Sequence, residues 1–222
     1  MNVKRVVIFG IQDFAELAWY YLGKDSPYEV VGFCVNEKYL PDPPFFHELP
    51  VVPFERVSQI FPPDVHGFFA PMSPKRMNRF REEIYHQLKA LGYELISYVS
   101  SKATIFNNPI GENCFILEDN TIQPFTTIGN NVVLWSGNHI GHHGRIMDHV
   151  SFTSHVVMSG HCVIEPYCFL GVNATIRDGI TLAEGTFLAM HSAVTKSTSP
   201  WGVYVGSPAK IREGVSSLDM LK

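Results

Sequence analysis

From Ile110 to Val194, every sixth residue is aliphatic, methionine or phenylalanine. The positions are Ile110, Ile116, Ile122, Ile128, Leu134, Ile140, Ile146, Phe152, Met158, Ile164, Leu170, Ile176, Leu182, Leu188 and Val194. With 45% of the chain apolar, fifteen hits in a row have a chance probability on the order of one in 100,000 per frame. An amphipathic helix would repeat at three and four residues, and a half-buried strand at two. A period of six fits neither and is the period of hexapeptide coils in a parallel β-helix. Two residues before the hits the side chains are mostly small or β-branched: Cys114, Thr126, Val132, Val150, Val156, Cys162, Cys168, Ala174, Thr186 and Ser192. Glycine follows the hit at Gly111, Gly129, Gly141 and Gly171, where it is expected to ease a tight turn. The large residue points inward and the small one fits near a corner. No single coil can bury its own face, so stacking must supply the core.

The whole chain has 222 residues, 17% of them charged, and a net charge of −4. That balance offers no broad basic field for nucleic acid or an anionic membrane, so an anionic ligand must be held locally. No apolar run approaches the ~18 residues of a membrane span. The start, Met1 to Arg5, leads straight into a strand and does not read as a signal peptide. The four cysteines lack metal-site spacing, and Cys114, Cys162 and Cys168 fall in the small position of the repeat. They read as buried thiols, and a reducing cytoplasm is the expected compartment.

Residues 1–95 have another rhythm. Val3 to Phe9 is an apolar strand ending at Gly10; Asp13 and Glu16 have capping-box spacing; Phe14, Leu17, Ala18, Tyr21 and Leu22 follow at helical spacing. Tyr28 to Val35 is a second strand, which makes a βαβ unit. Residues 36–53 carry five prolines and read as an ordered loop. His66 to Ala70 is a third strand, Met77 to Leu91 a helix stopping at Gly92, and Glu94 to Val99 a fourth strand. The expected domains are 1–98 and 99–222. Parallel α/β sheets bind ligands at the carboxyl ends of their strands. Here those ends carry Gly10-Ile11-Gln12-Asp13, Val35-Asn36-Glu37 and Ala70-Pro71-Met72-Ser73. The first turn opens a helix that could hold a phosphate through its N–H groups, but a single glycine is not a dinucleotide fingerprint.

Seven of the ten histidines lie in the repeat, most densely in Trp135 to Gly144. The six-residue period resembles the left-handed β-helix of hexapeptide acyltransferases, and that resemblance implies three hexapeptides per coil, so that residues 18 apart stack. His142 then meets Gly160, His143 meets His161, and His155, Asn173 and His191 form a column. Imidazole titrates near neutrality and suits a general base for acyl transfer to an amine or hydroxyl. The tetrahedral intermediate also needs a donor for its oxyanion, which a glycine N–H one coil away could provide.

Taken together, Val6-Val7-Ile8-Phe9-Gly10, Ile140-Gly141-His142-His143, Ser159-Gly160, Cys168 to Ala174 and Val205 to Lys210 resemble bacterial sugar acetyltransferases related to sialic acid O-acetyltransferase. Within that group the chain is most similar to nucleotide-linked 4-amino-sugar N-acetyltransferases, over nearly its whole length. The resemblance implies a Rossmann-like α/β N-terminal domain followed by a left-handed parallel β-helix. It implies a homotrimer with acetyl-CoA, and no metal, in the groove between neighbouring β-helices. His142 would be the base and Gly160 the thioester-carbonyl donor, with His143 beside them. Gly160, Asn173, Gly206 and Lys210 would line the cofactor groove. Gly10, Gln12, Asn36, Met72, Ser73 and Arg81 would hold the sugar nucleotide, Asn78 and Arg81 echoing an Asn…Arg pattern of the family.

Three places depart from the family, the first being the turn after the first strand, which has Gln12-Asp13 where the glycine-rich form is commoner. The residue after the base is often acidic there and is His143 here, with Pro124 and Gly160 as the coil neighbours of His142. A second histidine of some relatives, nine residues later, is Ser151 here. The implied function is acetyl-CoA-dependent N-acetylation of a nucleotide-linked amino sugar. Sugar or sialic acid O-acetylation is the near alternative. A γ-carbonic-anhydrase-like zinc enzyme using His155 and His191, or a non-catalytic sugar-nucleotide binder, are the others. Neither nucleic acid nor membrane is an expected partner.

Overall fold

The computed structural model describes residues 4–222; Met1, Asn2 and Val3, where the first strand was expected to begin, lie outside the described residues. The chain divides into two compact units, one of residues 1–73 and 83–98 and one of 74–82 and 99–222.

The first unit is built on a sheet of β1 (Arg5–Phe9), β2 (Glu29–Val35), β3 (Phe45–Phe46), β4 (Leu49–Pro53), β5 (His66–Phe69) and β6 (Glu94–Leu95). The order across the sheet is β3-β4-β2-β1-β5-β6, and only the β3–β4 pair is antiparallel. Val6, Val7, Ile8, Phe33, Cys34, Phe68 and Phe69 are almost wholly buried, as a sheet covered on both faces requires. Helix α1 (Asp13–Lys24) buries Ala15, Ala18 and Leu22. The expected capping box is not formed. Gln12 is the N-cap, makes no side-chain cap bond, and leaves Asp13 and Glu16 inside the first turn. There they complement the helix dipole instead of capping it. The proline-rich stretch is not a plain loop, because β3, β4 and a 3₁₀ turn at Glu37–Tyr39 occupy it. The prolines of β4 are tolerated because they stand near its ends. A short helix α2 (Val57–Ile60) was not foreseen.

The second unit is a stack of two-residue strands on three faces. One face runs through Thr121–Ile122, His139–Ile140, Val157–Met158 and Thr175–Ile176. The second runs through Thr127–Ile128, Arg145–Ile146, Val163–Ile164 and Thr181–Leu182. The third runs through Phe115–Ile116, Val133–Leu134, Ser151–Phe152, Phe169–Leu170 and Phe187–Leu188. Partners in these pairs are parallel and 18 residues apart, which is the expected coil length. The inward residues from Ile116 to Val194 are all buried and, with Ile110 packed against them, form one core. Hexapeptide repeats on three stacked parallel faces fit a left-handed β-helix.

A second six-residue period lies beside the hydrophobic one. Three residues before each inward position the backbone has positive φ, from Asn107 (57°) to His191 (56°). The fifteen residues there are mostly Asn, Asp, His or Gly, the types that enter the left-handed region at least cost. The corners therefore turn at these residues. Gly111, Gly129, Gly141 and Gly171 have another purpose than the turn first expected of them. A Cβ on Gly141 would lie 2.5 Å from the carbonyl carbon of Ser159, and one on Gly171 would lie 2.6 Å from Met190 N. They let neighbouring coils approach.

Asn131 shows how a corner is tied. Its φ is 58° and it is fully buried. Asn113 Nδ2 donates to its Oδ1 (2.7 Å), and its own Nδ2 meets His149 Nδ1 (2.9 Å). Asn131→Val would place a β-branched residue in the left-handed region and strip a buried ladder. The expected loss is about 2–3 kcal/mol, read from urea unfolding. Unchanged stability would mean that the ladder contributes nothing.

Candidate active site

His142 stands one residue before a left-handed corner, which turns its side chain out of the coil at an exposed edge. Its backbone N–H donates to Gln123 Oε1 (3.1 Å). Its ring is held from the next residue, with 3.0 Å between His142 Nδ1 and His143 Nδ1. His143 in turn stacks on His161 (centroids 5.1 Å, interplanar 16°) and leans on Phe125 (4.7 Å). The group that orients His142 is thus His143, standing where relatives often carry an acid. When His142 Nδ1 carries the ring proton and His143 Nδ1 accepts it, His142 Nε2 keeps a free lone pair.

Gly160 lies under that ring, as stacking by 18 requires. A Cβ at Gly160 would stand 2.7 Å from His142 Cε1 and 3.0 Å from Nε2. It would also stand 3.1 Å from Asp178 Oδ1. Gly160 is buried, and among the described residues its N–H has no hydrogen-bond acceptor, although its carbonyl accepts from Gly179 N (2.9 Å). A buried N–H without a partner is uncommon and suits a donor awaiting a ligand. Asp178 was missed from the sequence. It lies two coils beyond His142, and comparing only adjacent coils stops at Gly160.

The other expected site residues are distributed as follows. Asn173 is exposed at a left-handed corner (φ 58°). Gly206 (φ 97°) donates its N–H to Ser192 Oγ (3.2 Å), and Lys210 is exposed at the start of the strand Lys210–Ser216. Gly10 (φ 107°) donates to Cys34 O (2.8 Å), which brings the ends of β1 and β2 together. Gln12, Asn36, Met72 and Ser73 lie at the same carboxyl edge, after β1, β2 and β5. Arg81 does not fit its expected role. It is fully buried, and its guanidinium donates to Asn131 O (3.0 Å), Val150 O (3.3 Å) and Ser151 Oγ (3.2 Å). Burial lowers it to about 9, so it stays charged at neutral pH while serving the β-helix rather than a substrate. Asn78 is likewise buried, and its Oδ1 accepts from Ser151 Oγ (2.6 Å). Ser151 is therefore committed to these two side chains.

Cys114, Cys162 and Cys168 are buried, with Sγ directed at Gly129 O, Arg177 O and Ala183 O. Burial pushes Cys168 up to about 12, which keeps it a thiol and a poor nucleophile. Among the described residues, His155 and His191 join no cluster of three metal-ligating groups. No helix of the described residues is long and apolar enough to cross a membrane.

Residues 110–142 match the family described as bacterial transferase hexapeptide (six repeats), in the part of the chain that forms the stacked coils. Solved structures share the architecture of nearly the whole chain. One is a histidine-to-asparagine variant of perosamine N-acetyltransferase from Caulobacter crescentus, in complex with CoA and GDP-perosamine. It is 19% identical, with a TM-score of 0.82 over 95% of this chain and 98% of that one. The acetyltransferase domain of PglB from Neisseria gonorrhoeae in complex with acetyl coenzyme A is 16% identical, with a TM-score of 0.84 over 95% and 100%. WeeI from Acinetobacter baumannii is 18% identical, with a TM-score of 0.79 over 94% and 100%. At these identities the likeness establishes the fold. No curated protein matches the sequence.

Proposed function

We propose that the protein is an acetyl-CoA-dependent N-acetyltransferase acting on the amino group of a nucleotide-linked sugar. The observation that carries this reading is the stacking of His142 on Gly160: an oriented imidazole whose Cε1 and Nε2 lie 2.7 and 3.0 Å from where a Cβ on Gly160 would stand, beside a buried glycine whose N–H has no acceptor among the described residues. In this reading the acceptor nitrogen attacks the thioester carbonyl carbon. His142 Nε2 takes a proton from that nitrogen, and the Gly160 N–H donates to the oxygen on which charge develops. The C–S bond then breaks and the CoA thiolate leaves, taking up the proton. The inert, buried cysteines favour direct transfer over an acyl-enzyme. Asn173, Gly206 and Lys210 would line the CoA groove, between β-helices of a homotrimer.

The first unit would hold the nucleotide. Its five parallel strands run β4-β2-β1-β5-β6, so the chain reverses direction across the sheet between β1 and β5. That is the strand order of a Rossmann-like unit, whose ligands sit at this switch point. Gly10, Gln12, Asn36, Met72 and Ser73 are the residues at hand there. The neighbouring structures with CoA, acetyl coenzyme A and GDP-perosamine support the same assignment.

The test is CoA release from acetyl-CoA over a panel of nucleotide-linked 4-amino sugars, their 4-hydroxy counterparts and free sialic acid. Turnover confined to amino sugars supports the reading; turnover confined to hydroxyl acceptors replaces it with O-acetylation. Gly160→Ala gives a second check. The added Cβ collides with the His142 ring, which is exposed and can swing aside. A loss of about 10- to 100-fold in kcat/KM is expected with the fold retained. Wild-type kinetics in that variant would remove Gly160 from the site.

A further inference from the structure

We propose that His142, His143 and His161 form a binding site for a zinc-class divalent cation, and that its occupancy switches the catalytic base off. The ligand atoms of the three residues all lie within 4.8 Å of one another. His142 Nδ1 and His143 Nδ1 are 3.0 Å apart. Two nitrogens on a tetrahedral zinc stand about 3.4 Å apart, so this pair needs only a small spreading to chelate. His161 reaches the pair from the next coil, its ring stacked on His143 and edge-on to His142 (centroids 5.1 Å in both cases).

The backbone holds this arrangement. His143 and His161 both occupy left-handed corners (φ 54° and 56°), one coil apart. The His161 N–H donates to His142 O (2.9 Å), which ties the corner carrying the third imidazole to the first. All three side chains are exposed, so an ion keeps water in its fourth position and the site is not desolvated. A set made only of imidazoles suits zinc, copper or nickel and not magnesium or calcium.

The chemical consequence depends on which nitrogen is used. A cation on His142 Nδ1 takes that lone pair and leaves the single ring proton on Nε2. His142 then presents an N–H where the reaction needs a lone pair. Occupancy and base catalysis exclude each other without any change in fold. This inhibitory part rests on the function proposed above; the binding part does not.

The experiment uses the full chain stripped with EDTA, together with His161→Asn. Asparagine keeps the left-handed corner at low cost and removes the third imidazole. Titration with ZnCl2 by calorimetry, and with CoCl2 by visible absorption, is expected to give one site per chain with tetrahedral cobalt bands. In His161→Asn the affinity should fall at least tenfold and those bands should vanish. In the CoA-release assay, zinc should inhibit the wild type reversibly to EDTA. His161→Asn should turn over without zinc and need at least tenfold more zinc for half inhibition. Equal zinc affinity in the two proteins overturns the site. Binding that depends on His161 but leaves turnover untouched overturns the link to the base. If no acceptor is acetylated, the functional reading fails while the titrations still decide the site.

Discussion

His142→Ala is expected to lower kcat by about 10²–10⁴-fold, the usual contribution of a general base, with little change in CoA affinity. The direction follows from what His142 touches. Its side chain is exposed and meets His143 at Nδ1, while its bonds to Gln123 and His161 use the backbone N–H and carbonyl, which the substitution leaves in place. Removing the imidazole therefore opens no cavity in the coil core, and the melting temperature should stay within a degree or two of wild type. What disappears is the lone pair over Gly160. Turnover should return in part when imidazole is added, because a small base can enter the emptied place. A variant with wild-type kcat would show that proton transfer is carried elsewhere, and Asp178, which borders the same glycine, would be the group to examine next.

The coil was legible because one physical demand, burying a face every six residues, writes itself into side-chain size. The 18-residue coil implied by the family resemblance then places His142 on Gly160 by addition, and the geometry agrees. The second period was equally visible in Asn107, Asn113, Asp119, Asn131, Gly137 and the histidines at 143, 149, 155, 161 and 191. It was not read as a backbone signal. Reading it changes the meaning of the histidines, since five of the seven stand where the chain needs left-handed φ. His142 is one of the two outside that set and His139 is the other, an outward residue of a strand. A buried arginine was beyond sequence reasoning for a different reason. Arg81 follows Arg76, Met77 and Asn78, three residues of positive φ that no helical spacing announces, and its partners are carbonyls 50 and 69 residues away. Charge suggested substrate; tertiary packing assigned it to the coil.

Phe152→Ala is expected to cost about 3–5 kcal/mol. Phe152 is wholly buried on the third face, in register with Leu134 below and Leu170 above. Truncation removes a ring from the centre of a column whose neighbours are fixed by strand pairing on both sides, so the space cannot close by a local shift. Stacked coils are stabilised mainly through their nearest neighbours. A cavity in the middle coil therefore weakens both interfaces at once, and the denaturation midpoint should fall while the transition broadens. Val157→Ala is the matched control. Val157 is 40% exposed and Met158 beside it is fully buried, so the period assigns the pair to opposite sides of the wall. A loss below about 1 kcal/mol is expected there. Urea unfolding followed by far-ultraviolet circular dichroism measures both. Equal losses at the two positions would mean that the six-residue period does not mark the load of the core, and the inward assignment of all fifteen positions would fall with it.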